Sequence, residues 1–188
     1  MFFNPYLLAV YSLFHSMVGL QSISTMNMCH KGTDWNREYS SIANAAVNYS
    51  FSHVPLFDGD LNNDGIDDKE DIIIGQYYTA AMFISMAYHE SGFIGKNNRG
   101  SNGADVCLMQ INSGNVFRIT SGWTANEIEA DYEKCFDLGY KSLRYSFKRG
   151  GNLTSRLMDY TSHRRRLALT RCRTFTVVTG LSFNKWCN

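Results

Sequence analysis

Glu90 is the residue with the most chemical promise. It closes a run in which only Thr79 and Ser85 are polar between Tyr77 and Ala87, and it precedes Gly92 and a Gly/Asn/Ser-rich stretch from Gly95 to Gly103. Such a run reads as a helix apolar on every side, hence a buried central one, that stops at a glycine beside a loop. A carboxyl at its C-terminal end loses solvation, and the negative end of the helix dipole opposes its charge as well. Both effects favour the protonated form, which suits a general acid near neutral pH. A surface glutamate in the last helical turn is the plainer alternative, and the neighbouring motifs decide against it.

Three short motifs follow in order. The first is His89-Glu90-Ser91-Gly92-Phe93, the second Leu108-Met109-Gln110-Ile111-Asn112-Ser113, and the third Gly150-Gly151-Asn152-Leu153 followed by Asp159-Tyr160-Thr161. Between the last two lies Asp131-Tyr132-Glu133-Lys134-Cys135, continuing to Gly139 and Leu143. Together they resemble the E-S-x-F, G-L-M-Q-I and G-G-N-L…A-Y-N signatures of lytic transglycosylases of the lysozyme-like superfamily, in the SLT-domain form associated with secretion systems and phages. The resemblance runs from about Ile72 to Arg164, half of the chain. In two places the chain departs from the pattern. Cys107 stands where the family has the glycine before L-M-Q, which puts the local backbone in question. Thr161 stands where the family has asparagine, keeping a hydroxyl but losing the amide.

The resemblance implies a mainly α fold, of the α+β lysozyme-like kind, with a single lobe around a central buried catalytic helix. It implies a peptidoglycan lytic transglycosylase that cleaves the MurNAc–GlcNAc β-1,4 bond and forms 1,6-anhydromuramic acid, with Glu90 as general acid and base. Ser91, Asp105, Met109, Gln110, Asn112, Tyr160 and Thr161 would bind substrate, and peptidoglycan glycan strands would be the partner. A competing mechanism uses the same residues. Asp105 stands five positions before Gln110, as the second carboxylate does in the D-Y-G-x-x-Q-I-N-S segment of c-type lysozymes. A retaining pair needs carboxyls roughly 5 Å apart, so a hydrolytic muramidase using Glu90 and Asp105 is the alternative. A catalytically weak glycan-binding module, suggested by Cys107 and Thr161, is a third reading. Secretion-associated relatives also imply a Cys29–Cys135 disulfide.

A second group of residues could hold a metal. Asp60 to Asp71 match an EF-type calcium loop at positions 1, 3, 5, 6, 9 and 12. Asp60, Asn62, Asp64 and Asp71 would supply side-chain oxygens, Ile66 its carbonyl and Asp68 a water-mediated contact. Asp67 sits where a second hand would need an apolar residue, and Pro55 disrupts an entering helix, so the loop reads as a lone half-hand. An acidic solvated loop is the plain alternative, and a dockerin-like interaction protein is disfavoured because only one loop is present. Bound structural Ca2+ would fix the start of the helix that ends in Glu90; Asp71 could cap it.

The remaining elements serve to position these groups. Asp34 can cap a helix from Trp35 with Tyr39, Ile42, Ala46 and Tyr49 on one face. Asp71 to Gly92 reads as one long helix. Thr124 to Glu127 is a capping box opening a helix to about Lys148. A further helix from about Leu153 carries Tyr160 and the arginines, while the tail from Thr174 to Asn188 fits no single pattern. The chain divides into an apolar N-terminal segment, 1–30, and a catalytic domain, 31–188, that contains the calcium-type loop, 60–71, and the transglycosylase-like core, 72–164.

At 188 residues with 44% apolar and 19% charged side chains, the chain suits one globular domain. A net charge of +1 argues against a nucleic-acid binder. The basic run His163 to Arg166, with Arg171 and Arg173, reads as a solvated helix face or as a surface for an anionic partner. The five cysteines form no C-x-x-C pair, which argues against zinc. They fit two disulfides and a free thiol in an exported protein, Cys172 with Cys187 being one candidate pair, or five reduced thiols in the cytoplasm. No charged residue precedes His30, and Tyr6 to Leu20 is largely apolar. That segment suggests export to the periplasm or cell wall, membrane anchoring or virion association, although it lacks a positive n-region and falls short of the roughly 20 residues a span needs.

Overall fold

The computed structural model describes residues 35–93 and 103–188, together with Ser12. The apolar segment 1–30, Asp34 as a cap, Cys29 and most of the Gly-rich stretch lie outside the described residues. Among the described residues the fold is mainly helical, with one two-stranded sheet. Its helices are α1 (Trp35–Phe51), α2 (Lys69–Ser91), α3 (Val116–Ser121), α4 (Ala125–Ala130), α5 (Tyr132–Phe147), α6 (Leu153–Leu157), α7 (Arg165–Thr179) and α8 (Phe183–Cys187). Strands β1 (Asp105–Val106) and β2 (Ile111–Asn112) lie between α2 and α3 and pair antiparallel, Asp105 opposite Asn112.

The centre of the molecule is α2. From Ala80 to Ala87 every residue is buried, and α1, α5 and α7 pack around it. This is the physical outcome of a helix with no polar face: it must be enclosed on all sides. Tyr39, Ile42, Ala46 and Tyr49 of α1 are buried as their spacing requires. Among the described residues, Phe57, Phe83, Phe93, Phe136 and Phe175 are the largest enclosed side chains. Each contributes about 1.5–3 kcal/mol by leaving water. Phe83 stacks on Phe136 of α5 at 5.0 Å, and Phe57 on Phe175 of α7 at 5.1 Å. No helix among the described residues is long and apolar enough to cross a membrane.

Three boundaries differ from those the sequence suggests. The central helix begins at Lys69, and its N-cap is Asp68, whose carboxylate accepts from the Glu70 amide. Asp71 is the third residue of the helix, and its side chain returns to the Asp68 amide to complete the capping box. The helix expected from Thr124 to Lys148 is two helices. Asp131 adopts an extended conformation between them, and its carboxylate accepts from the Glu133 and Lys134 amides, which restarts the chain as α5. The helix expected to carry both Tyr160 and the arginines is likewise broken. Ser162 and His163 take left-handed backbone angles, φ 54° and 64°, so Tyr160 falls in the connection and the arginines on α7. In the tail, α7 ends at Gly180 and Ser182 caps α8.

Two disulfides cross-link the described residues. Cys172 pairs with Cys187, as expected. Cys135 pairs with Cys107 rather than Cys29, its Cα lying 6.1 Å from that of Cys107. The hairpin turn before β2 packs against α5 and brings the two together.

Candidate functional site

A groove of about 890 Å³ opens at the C-terminal end of α2. Of the residues singled out by sequence, Glu90, Asp105, Gln110, Asn112, Tyr160 and Thr161 all line it. They come from α2, the β-hairpin and the connection between α6 and α7. Segments some seventy residues apart in sequence are thus gathered around one groove.

Glu90 is half-buried in the wall. Burial raises its carboxyl above the ordinary carboxylate range, the neighbouring Arg171 guanidinium pulls it back, and Asp105 adds to the upward pressure. The net direction is upward, as a general acid requires. Tyr160 donates its hydroxyl to the Met109 carbonyl at 2.8 Å. Its own ionisation is pushed far up, chiefly by burial and then by Glu90, so it remains a neutral phenol.

The hairpin supplies the polar floor. Asn112 donates to Asp105 Oδ1 at 2.7 Å across β1 and β2. Gln110 Nε2 donates to the Cys107 carbonyl at 2.9 Å. The turn between the strands is tight because both Cys107 and Gln110 are left-handed, φ 61° and 47°. Cys107 thus holds a backbone region that ordinarily favours glycine, and its disulfide clamps the turn to α5.

Other expected site residues are used differently. Ser91 is buried and donates to the Ala87 carbonyl at 2.9 Å, so its hydroxyl serves the helix end instead of the groove wall. Met109 is fully enclosed, with its side chain against Gly139 of α5; it offers the site only its backbone carbonyl. Thr161 reaches the groove lining, but its hydroxyl lies close to the Leu157, Met158 and Arg164 carbonyls and joins α6 to the turn before α7. His89 bonds Thr174 of α7 at 2.7 Å; burial and then Arg171 depress it to about 4, so it is a neutral packing contact.

The groove also contains groups to which the sequence assigns no role in the site. Arg171 of α7 bonds Glu90 Oε1 through Nε at 2.9 Å and Nη2 at 2.6 Å. Asp159, with a side chain only 10% exposed, forms an ion pair with Arg149 and lies 3.2 Å from His163 Nε2. A signal for Arg171 is present in the sequence. Ala168, Cys172, Phe175 and Thr176 form the buried stripe of α7, and Arg171 falls within it. The basic run therefore splits, with Arg164, Arg165 and Arg166 in solvent and Arg171 only 6% exposed.

In the calcium-type loop the carboxylates fold back on their own chain. Asp60 accepts from the Asp64 and Gly65 amides, Asn62 Oδ1 from Asp64, and Asp64 Oδ1 from Ile66. Asp71 is buried and accepts from the Leu61, Asn62 and Asp68 amides, which hold its carboxyl below the usual range, the Asp68 contact foremost. Three of its roughly four lone-pair sites are thereby engaged. Among the described residues no three His, Cys, Asp or Glu side chains are grouped as a metal site. Comparison of the chain with protein-family models, with curated proteins and with solved structures finds no match.

Proposed function

We propose that the protein cleaves peptidoglycan glycan strands as a lytic transglycosylase, with Glu90 as the acid. The observation that carries this reading is a carboxyl raised by burial at the end of the central helix, on the wall of a groove that also holds Asp105, Gln110, Asn112 and Tyr160. A strand in the groove would present its glycosidic oxygen to Glu90. The Glu90 proton passes to that oxygen as the C1–O bond breaks. The carboxylate then takes the proton of the muramyl C6 hydroxyl, whose oxygen bonds to C1 and closes the 1,6-anhydro ring. Proton and electron pairs balance without water, and one carboxyl serves both steps. Gln110 and Asn112 would hold the sugar by hydrogen bonds, and the Tyr160 phenol would lie near the developing charge.

Two specific observations favour other readings. Asp105 lines the same groove as Glu90 and raises it electrostatically, which suits a hydrolytic muramidase. The Arg171 ion pair draws Glu90 toward its ionised form, which suits a weak glycan-binding module. Mass spectrometry of digested peptidoglycan, with Glu90→Gln as control, separates the three. Ends lighter than reducing ends by one water are expected. Reducing ends would make the protein a muramidase and Asp105 its second carboxylate. An absence of any Glu90-dependent product would leave the binding module.

We also propose structural calcium in the loop 60–71. The support is the spacing, together with side-chain oxygens of Asp60, Asn62 and Asp64 that already wrap one turn. These, the Ile66 carbonyl and a water-mediated Asp68 would be the ligands. Asp71, with one lone-pair site left, would add at most a single contact.

A further inference from the structure

Arg171 sits on the buried stripe of α7, and its side chain is only 8% exposed. A buried cation is tolerated only when paired and hydrogen-bonded. Its Nη1 donates to the Leu167 carbonyl at 3.2 Å, one turn back, while Nε and Nη2 converge on a single oxygen, Oε1 of Glu90. This differs from the fork-to-fork pairing in which each carboxylate oxygen takes one donor. Glu90 Oε2 takes no hydrogen bond from the described residues, and Glu90 lines the groove. The helix that carries Arg171 is itself pinned at the adjacent residue, where Cys172 is bonded to Cys187.

We propose that Arg171 is the positioning residue of the groove's acid: it grips Oε1, fixes the rotamer of Glu90, and leaves Oε2 as the oxygen that exchanges a proton with substrate. The inference rests on the reading of Glu90 as the acid. Among the described residues, these titratable and charged groups surround Glu90. Arg171 faces it from α7, Asp105 from β1, Tyr160 from the connection after α6, and neutral His89 is its neighbour on α2. Of these only Arg171 favours the ionised form. Its removal would leave burial and Asp105 acting together, so Glu90 would hold its proton to higher pH. A general acid works below its own titration point, so the alkaline limb of activity would move up with it.

The test follows Glu90 by carboxyl 13C NMR across pH in the full chain, as wild type, Arg171→Met and Arg171→Lys, alongside kcat and KM on peptidoglycan over the same range. In Arg171→Met the Glu90 titration and the alkaline limb should rise by about one pH unit or more, with kcat lowered more than KM is raised. Arg171→Lys keeps the charge without the planar fork, so its titration should stay near wild type while kcat falls. A Glu90 titration unmoved in folded Arg171→Met would overturn the proposal. So would Arg171→Lys with wild-type kcat, which keeps the test decisive if the methionine variant fails to fold. A wild type that leaves peptidoglycan uncut while Glu90 still shifts in Arg171→Met would sink the cleavage reading and keep the grip of Arg171. A wild type that cleaves, with neither titration nor limb moving, would do the reverse.

Discussion

At the scale of single residues, the site depends on side chains held against their ordinary preferences. Cys107 is the sharpest case. A left-handed backbone costs an L-residue about 1–2 kcal/mol, and here it is imposed at a 1% exposed position by the hairpin turn and the bond to Cys135. Replacing Cys107 with serine removes the disulfide and keeps the strain; replacing it with glycine removes both. Glycine recovers that cost but gives back about 0.5–1 kcal/mol of chain entropy. Cys107→Gly should therefore be more stable than Cys107→Ser by about 1 kcal/mol in urea unfolding, and both should be less stable than wild type. If the two variants unfold at the same denaturant concentration, the strain argument fails.

At the scale of elements, the position of Glu90 depends on how closely α2 lies against the segment that precedes it. Gly75 marks the closest approach. A Cβ there would stand 2.4 Å from the Phe57 carbonyl oxygen and 3.0 Å from Pro55 Cβ. The obstacle is backbone, which cannot swing aside as a flexible side-chain end could. Gly75→Ala would ordinarily strengthen a helix by about 1 kcal/mol; here it should destabilise the domain by about 1–3 kcal/mol through overpacking. Because Phe57 stacks on Phe175 of α7, the displacement should also disturb the helix that carries Arg171. A neutral or stabilising Gly75→Ala in chemical denaturation would mean that the Phe57 segment yields freely.

At the scale of the whole molecule, a net charge of +1 conceals a strong segregation. Seven of the seventeen acids lie between Asp58 and Asp71, and no acid follows Asp159, whereas six cations do. The two regions meet where Lys185 of α8 bonds Asn63 of the loop at 2.9 Å. The crowded carboxylates repel one another at neutral pH, and a divalent cation would relieve them while fixing the start of α2. The expected result is a melting temperature raised by millimolar calcium and lowered by chelator, with the dependence lost in Asp60→Asn/Asp64→Asn. Magnesium should substitute poorly, since its small octahedral shell disfavours this irregular oxygen set. A melting temperature unchanged across calcium and chelator would remove the ion and leave a loop closed by its own amides.

Some of this protein was legible in one dimension. An apolar run with no polar face can only be a buried helix, so the enclosure of α2, its stop at Gly92 and the placement of Glu90 at its end follow from residue types alone. The motif resemblance also singled out Asp105, Gln110, Asn112 and Tyr160, and the fold brings all four to the same groove. Tertiary structure decided what local pattern leaves degenerate. Asp131 and the Ser162–His163 turn break helices whose apolar periodicity continues through them, since one cap or two left-handed residues can redirect a chain without altering its period. The choice of Cys107 over Cys29 as partner of Cys135 depends on which segment packs on α5. Arg171 in the acid's hydrogen-bond shell depends on the rotation of α7 against α2, which turns one arginine inward and leaves Arg164, Arg165 and Arg166 in water. Local sequence carries capping, periodicity and charge; the pairing of groups far apart in the chain is fixed only when the core closes around the central helix.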